Sequence, residues 1–173
     1  MRPGARVLLG GGGVDLRVGR WRARFRGRIL PCAIGRGGIG EKRAEGDGIT
    51  PVGRHRIDEV RARPDRRASP AGARAIRPFD AWSDDPRDPD YNRLVRRPRA
   101  FSHERMFRAD RLYDLVAVVD WNRAPVAPGR GSAIFLHSWR RPRFPTAGCV
   151  AFAPSDLAWI LARWTPRSRV AIG

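Results

Sequence analysis

The sequence predicts a mainly β fold, a sandwich or barrel-like sheet in one domain. Three observations carry that prediction. Short apolar runs alternate with polar residues at period two, glycine- and proline-rich stretches punctuate them, and only one segment near the C-terminus has helical spacing. With 173 residues, 42% of them hydrophobic, the chain can bury a real core, and one domain is expected over residues 1–173.

Val14, Leu16 and Val18 alternate with polar positions as a first strand, with Gly19-Arg20 as the turn after it. Trp21, Ala23 and Phe25 alternate with Arg22, Arg24 and Arg26, the pattern of a half-exposed second strand. A third spans residues 28–34, and Cys32 within it, among Ile29, Leu30 and Ile34, reads as core. Residues 35–48 are rich in glycine and charge and read as a loop. Thr50-Pro51-Val52-Gly53 reads as a turn into a strand over 54–60.

Prolines and charges crowd residues 61–98, and the run from Asp84 to Asp90 resists regular structure. Phe79, Trp82 and Tyr91 punctuate this stretch, which marks a functional loop packed on a scaffold. Residues 112–120 and 133–137 are apolar enough for buried strands, and Val150-Ala151-Phe152 for another. Ser155 is placed to cap a helix whose apolar face carries Leu157, Ile160, Leu161 and Trp164. Pro166 ends that helix, and residues 169–172 close as a strand.

The formal charge of +18 is almost entirely arginine, with Lys42 the only lysine. A basic surface suits polyanions, but the arginines are scattered and no nucleic-acid reader motif is present, so no specific nucleic-acid partner is expected. A non-enzymatic basic module that binds wall polymer or nucleic acid stays open as an alternative. Nothing approaches the ~18 apolar residues of a membrane span. Residues 1–13 offer Arg2, Arg6 and then only Val7-Leu8-Leu9, too brief a core for a secretion signal. Export would therefore rest on a signal trimmed from this sequence or on a misassigned start. The two cysteines, Cys32 and Cys149, form no CxxC pair and no zinc-spaced cluster, so no metal site is expected.

His137 ends an apolar strand, and Cys149 follows 12 residues later, directly after Gly148. A loop of that length can fold back so that thiol and imidazole meet. The histidine would then take the thiol proton and yield a nucleophilic thiolate. A glycine before the cysteine lets backbone N–H groups face an oxyanion. Against this stands the frequency of buried, inert cysteines, so spacing alone leaves both readings open. His55 and His103 sit among charges and read as surface residues. Trp82, Tyr91, Trp139 and Phe144 are candidates to line a groove. Arg140, Arg141 and Arg143 are candidates to hold carboxylates, or else are solvated.

The run Ala133 to Trp139, followed by Thr146-Ala147-Gly148-Cys149, resembles the catalytic motif of the L,D-transpeptidase (YkuD-type) family. Thr50-Pro51-Val52-Gly53 is similar to that family's Thr-Pro-x-Gly turn, and Gly131 to His137 to its histidine-bearing strand. Ala153 to Leu157 and Val170-Ala171-Ile172 resemble its closing helix and strand. Trp82 to Pro86 and Tyr91 to Val95 resemble its compact, mainly proteobacterial branch, and the likeness is strongest over residues 28–173.

The resemblance implies an L,D-transpeptidase-type β-sandwich with a long decorated loop and a short helix after the cysteine. It implies Cys149 as nucleophile, His137 as base, a carbonyl near Ser138 holding the other ring nitrogen, and Gly148 and Cys149 N–H groups as oxyanion hole. Thr146, Trp139, Arg140, Trp82 and Tyr91 are the expected substrate contacts. The partner would be diaminopimelate-containing peptidoglycan stem peptides, with no cofactor, in the periplasm. Crosslinks would be of the 3→3 type, or the 1→3 type of the compact branch. A cell-wall peptide hydrolase or carboxypeptidase using the same pair is the alternative. Ala147 and Ala151 replace polar residues that many members carry, and the interval from His137 to Cys149 leaves room for only a small lid.

Overall fold

The N-terminal alternation folds as an antiparallel meander of β1 (Leu16–Val18), β2 (Arg22–Phe25) and β3 (Arg28–Ala33). The computed structural model describes residues 15–173; Val14 and the N-terminal segment read above lie outside the described residues. Arg26 and Gly27 turn the β2–β3 hairpin with φ of 45° and 78°, the paired positive values whose twist suits adjoining strands. Ala23 and Phe25 are buried, as their alternation predicts. Trp21 is not, at 41% exposed, because it lies in the bend before β2.

The expected strand over 54–60 is two strands. β4 (Ile39–Gly40) and β5 (Thr50–Pro51) pair in parallel, then β6 (Gly53–His55) and β7 (Ile57–Ala62) are broken at Arg56. The break has a topological cause that appears once the later strands are placed: β8 (Arg74–Ala75), β9 (Asp80–Ser83), β10 (Leu94–Arg96), β11 (His103–Arg105), β12 (Leu115–Val119), β13 (Phe135–Ser138), β14 (Val150–Phe152) and β15 (Val170–Ile172). The large sheet runs β6-β15-β1-β2-β3-β14-β13-β12-β7-β8. Its first and ninth strands are thus separated by one residue of chain, so the sheet must curl back on itself. β3 makes the opposite corner: residues 28–31 pair with β2, while Cys32 and Ala33 pair with β14. The result is the mainly β, sandwich-like fold predicted.

Residues 61–98 are more regular than their prolines suggest. β9 pairs with both β10 and β11 in a small antiparallel sheet, and the Asp84–Asp90 run is the irregular connection within it. This small sheet covers the outer face of β12 and β13. Leu115, Ala117, Val119 and Leu136 enter the core between the halves of the large sheet, whereas Val116, Val118 and Phe135 enter a second core with Trp82, Met106, Tyr113 and Cys149. Burial on both faces explains the continuous apolar run of β12.

α1 (Pro154–Leu161) starts one residue before the expected cap. Pro154 takes the first helical position, where its fixed φ and missing N–H cost nothing, so Ala153 is the N-cap and Ser155 lies inside the first turn. Leu157, Ile160 and Leu161 are buried as their spacing predicts. The helix ends before Trp164, which instead stacks on Phe25 with centroids 5.8 Å apart.

Candidate active site

β13 and β14 are adjacent and parallel, with His137 opposite Ala151 and Leu136 opposite Val150. Residues 139–149 are therefore a return crossover, which delivers Cys149 to the start of β14 beside Phe135. The Phe135 N–H donates to Cys149 Sγ at 3.3 Å, and the thiol donates to the Ala133 carbonyl at 3.1 Å. Phe135 and His137 share one face of β13, so thiol and imidazole lie on the same side of the sheet. Both line a cavity of about 400 Å³.

The His137 ring is buried, with Nδ1 2.7 Å from the Ser138 carbonyl oxygen. A carbonyl can only accept, so Nδ1 carries the hydrogen and Nε2 keeps its lone pair in the neutral ring. Tyr113 meets the ring edge-on, centroids 5.3 Å apart. Burial depresses the imidazole to about 4, and its bond to Ser138 opposes that fall. The thiol moves the other way. Burial pushes Cys149 up to about 12, with Glu104 adding to the rise and the Phe135 N–H and Lys42 opposing it. The resting pair is accordingly neutral thiol and neutral imidazole. A low-dielectric pocket disfavours both charged forms at once.

Gly148 is the position where the backbone requires glycine. Its φ is 147°, and a β-carbon there would lie 3.0 Å from the Ile49 carbonyl oxygen and 3.3 Å from Ile134 Cδ1. Its N–H donates to Thr146 Oγ1 at 3.1 Å, and Thr146 Oγ1 donates to the Cys149 carbonyl at 2.6 Å. Thr146 is thus a clamp on the turn as well as a lining residue, and the Gly148 N–H expected to face an oxyanion is already engaged. Backbone bonds from Thr146 N–H to Ile34 and from Arg36 N–H to Thr146 dock the turn on the end of β3.

Of the expected contacts, Trp139, Arg140, Phe144 and Thr146 line the cavity. Trp82 and Tyr91 do not. Trp82 is fully buried, its ring edge-on to Phe135 at 5.1 Å and its indole N–H donating to Asn92 Oδ1 at 3.0 Å. Tyr91 is buried too; its hydroxyl donates to Glu45 and accepts the Gly131 N–H at 3.1 Å. A lone aromatic in a polar loop resembles a ligand contact, but here each anchors the loop to the scaffold. Arg141 lies over the Phe144 ring, and Arg143 faces a separate depression with Trp21 and Ile29.

His55, expected at the surface, is buried, its Nε2 3.3 Å from the Pro51 carbonyl and Nδ1 3.5 Å from Asp120. His103 is half-buried, with Nδ1 2.7 Å from the Phe101 carbonyl. Cys32 is wholly buried, and both cysteines are free.

The sequence reading missed a second set of lining residues: Lys42, Glu45, Asp84, Glu104, Tyr113 and Ser132. Three of these are carboxylates, in a chain of charge +18. Burial holds the Glu104 carboxyl above its usual range, although Tyr113 Oη donates to it at 2.8 Å. One signal was available for Lys42: it is the single lysine where every other side-chain cation outside histidine is arginine.

A β-sandwich that brings a thiol and an imidazole to one buried cavity has the equipment of thiol-based acyl transfer. The chain belongs to the L,D-transpeptidase catalytic-domain family (YkuD), whose family model matches residues 16–172. Members of that family are cysteine-dependent transpeptidases that act on peptidoglycan peptides. No match was found among curated proteins, and none among solved structures. Among the described residues, no helix is long and apolar enough to cross a membrane.

Proposed function

We propose that this protein crosslinks peptidoglycan stem peptides through a thioester on Cys149, with His137 as general base and then general acid. The carrying observation is that Cys149 and His137 line one cavity while Ser138 holds Nδ1, which leaves Nε2 as the basic atom. The Cys149 sulfur attacks a stem-peptide carbonyl carbon as its proton passes to Nε2, and the carbonyl π pair moves to oxygen. Collapse expels the leaving amine, which takes the proton back from His137, and a thioester remains. The side-chain amine of diaminopimelate on a second stem then attacks, giving its proton to Nε2 and releasing the thiolate, which is reprotonated. Because the resting pair is neutral, proton transfer accompanies attack, so the base acts within the acylation step itself.

The charges of the cavity suit this substrate. Arg140 lines the cavity together with Glu45, Asp84 and Glu104, and stem peptides carry both carboxylates and a free amine. A periplasmic site of action and crosslinks of the 3→3 or 1→3 type complete the proposal. Incubation with purified muropeptides, resolved by mass, tests it. Crosslinked dimers are expected, and their masses separate the two linkages; shortened monomers alone would mean hydrolysis. Cys149→Ala should abolish product, and turnover surviving that change removes the nucleophile.

A further inference from the structure

The lysine at position 42 is built into the wall of the cavity with unusual care. Its side chain is only 3% exposed, and Nζ lies 2.7 Å from Asp47 Oδ1. Asp47 is in turn fixed by the backbone N–H groups of Ile49 at 2.9 Å, Arg43 at 3.0 Å and Ala44 at 3.2 Å. Burial alone would raise the Asp47 carboxyl, but Lys42 and these N–H groups hold it well below the usual range. The lysine stem crosses Gly131, where a β-carbon would fall 2.2 Å from Cε, so glycine is needed there for the stem to pass. The head reaches Gly148: Nζ is 3.6 Å from the point a β-carbon on that glycine would occupy. Two glycines at positive φ thus admit one ammonium to the residue preceding Cys149.

Burying an ion pair is expensive, and an exposed arginine would serve solubility as well. A fixed charge beside the nucleophile is worth that cost where negative charge develops in the reaction. The backbone donor at Gly148 is occupied by Thr146, so the transition state lacks one of its expected partners. An ammonium has three N–H bonds; one is directed at Asp47, which leaves two for the cavity.

We propose that Lys42 is a catalytic residue of this site, its ammonium donating a hydrogen bond to the oxyanion formed when Cys149 attacks the stem-peptide carbonyl. The lysine keeps its proton throughout; the carbonyl electron pair moves onto oxygen during attack and returns on collapse, while His137 carries the only proton transferred. Asp47 is a positioning residue that aims the ammonium, and Gly131 is the gap through which it is aimed. The inference rests on the transpeptidase reading and sharpens it, because it names the group that meets the developing charge.

The test compares wild type with Lys42→Met, Lys42→Gln and Lys42→Arg on purified muropeptides, with near-UV circular dichroism confirming that each is folded. The neutral variants should lose ~100-fold in kcat, the effect of removing one oxyanion donor, with KM changed by less than ~3-fold. Lys42→Arg, which keeps the charge, should retain more activity than either. A rise in KM with kcat unchanged would overturn the proposal, since it would show binding of a ground-state carboxylate. Neutral variants as active as wild type would overturn it too.

Gly131→Ala provides a variant that displaces the ammonium without removing it, and should lower kcat in the same way. Should the substituted proteins not fold, the wild-type thiol carries the test. An ammonium beside sulfur makes iodoacetate react faster, relative to iodoacetamide, than it does with free cysteine, and a ratio at or below that of free cysteine overturns the proposal. Wild-type protein that forms neither dimers nor shortened monomers refutes the transpeptidase reading itself, whereas active wild type with equally active neutral variants refutes only the role of Lys42.

Discussion

Gly148 shows how one residue can be required by geometry rather than by chemistry of its own. With φ at 147° and the Ile49 carbonyl 3.0 Å from any added β-carbon, Gly148→Ala must move either the turn or the backbone at Ile49. The variant should stay folded at a cost of about 1–3 kcal/mol, read from denaturant unfolding, yet lose most acylation because Cys149 is displaced with it. Full activity in Gly148→Ala would show that the turn tolerates the shift. His137 has the complementary lesson. Its position at the end of an apolar strand was legible from sequence, but the neutral state of its ring and of the Cys149 thiol was not. Both follow from burial, to which Tyr113 and Trp82 contribute from distant parts of the chain.

At the scale of elements, the connection from β9 to β10 holds the small sheet against the site. Asp88, whose side chain is wholly buried, accepts from Ser83 Oγ at 2.6 Å and from the Asp90 N–H at 2.9 Å, and pairs with Arg99. Hydrogen bonding from Arg99, against the raising effect of burial, holds its carboxyl down at about 2. Asp88→Ala leaves the Ser83 hydroxyl without its acceptor and Arg99 with Asp90 alone, and should destabilise the protein by about 2 kcal/mol. Limited proteolysis should then cut within residues 84–102; unchanged stability and an unchanged cleavage pattern would contradict this account.

The prolines of this segment had concealed two strands, because Pro86 and Pro89 lie in the connection and leave the paired residues free to make their ladder bonds. The break at Arg56 was equally illegible. A period-two pattern reports a strand but not which sheet each half joins.

For the whole molecule, the two buried thiols and the buried imidazole define a window of pH. The His137 ring falls from 6.5 to about 4 on folding, so between those values the unfolded chain binds the proton first, and stability drops as pH falls. That limb should amount to about 3 kcal/mol. Burial raises Cys32 and Cys149 from 9.0 to about 12, so the unfolded chain loses those protons first and stability also drops above about pH 9. The melting temperature should therefore be highest between these limbs, and His137→Gln should flatten the acid one. An acid limb as steep in that variant as in wild type would assign the effect to other groups.

The strand periodicity, the helical face of Leu157, Ile160 and Leu161, and the His137 and Cys149 motif were set by local order along the chain. Alternation and short-range spacing are properties of neighbouring residues, and they sufficed to indicate the family and to single out a thiol and an imidazole that line one cavity. Tertiary structure alone decided that Trp82 and Tyr91 lie beneath the site, that His55 is buried, that the thiol rests protonated, and that Lys42 stands beside Gly148. Each of these depends on low dielectric and on partners many residues away, which only the curled sheet and its covering loops bring within reach.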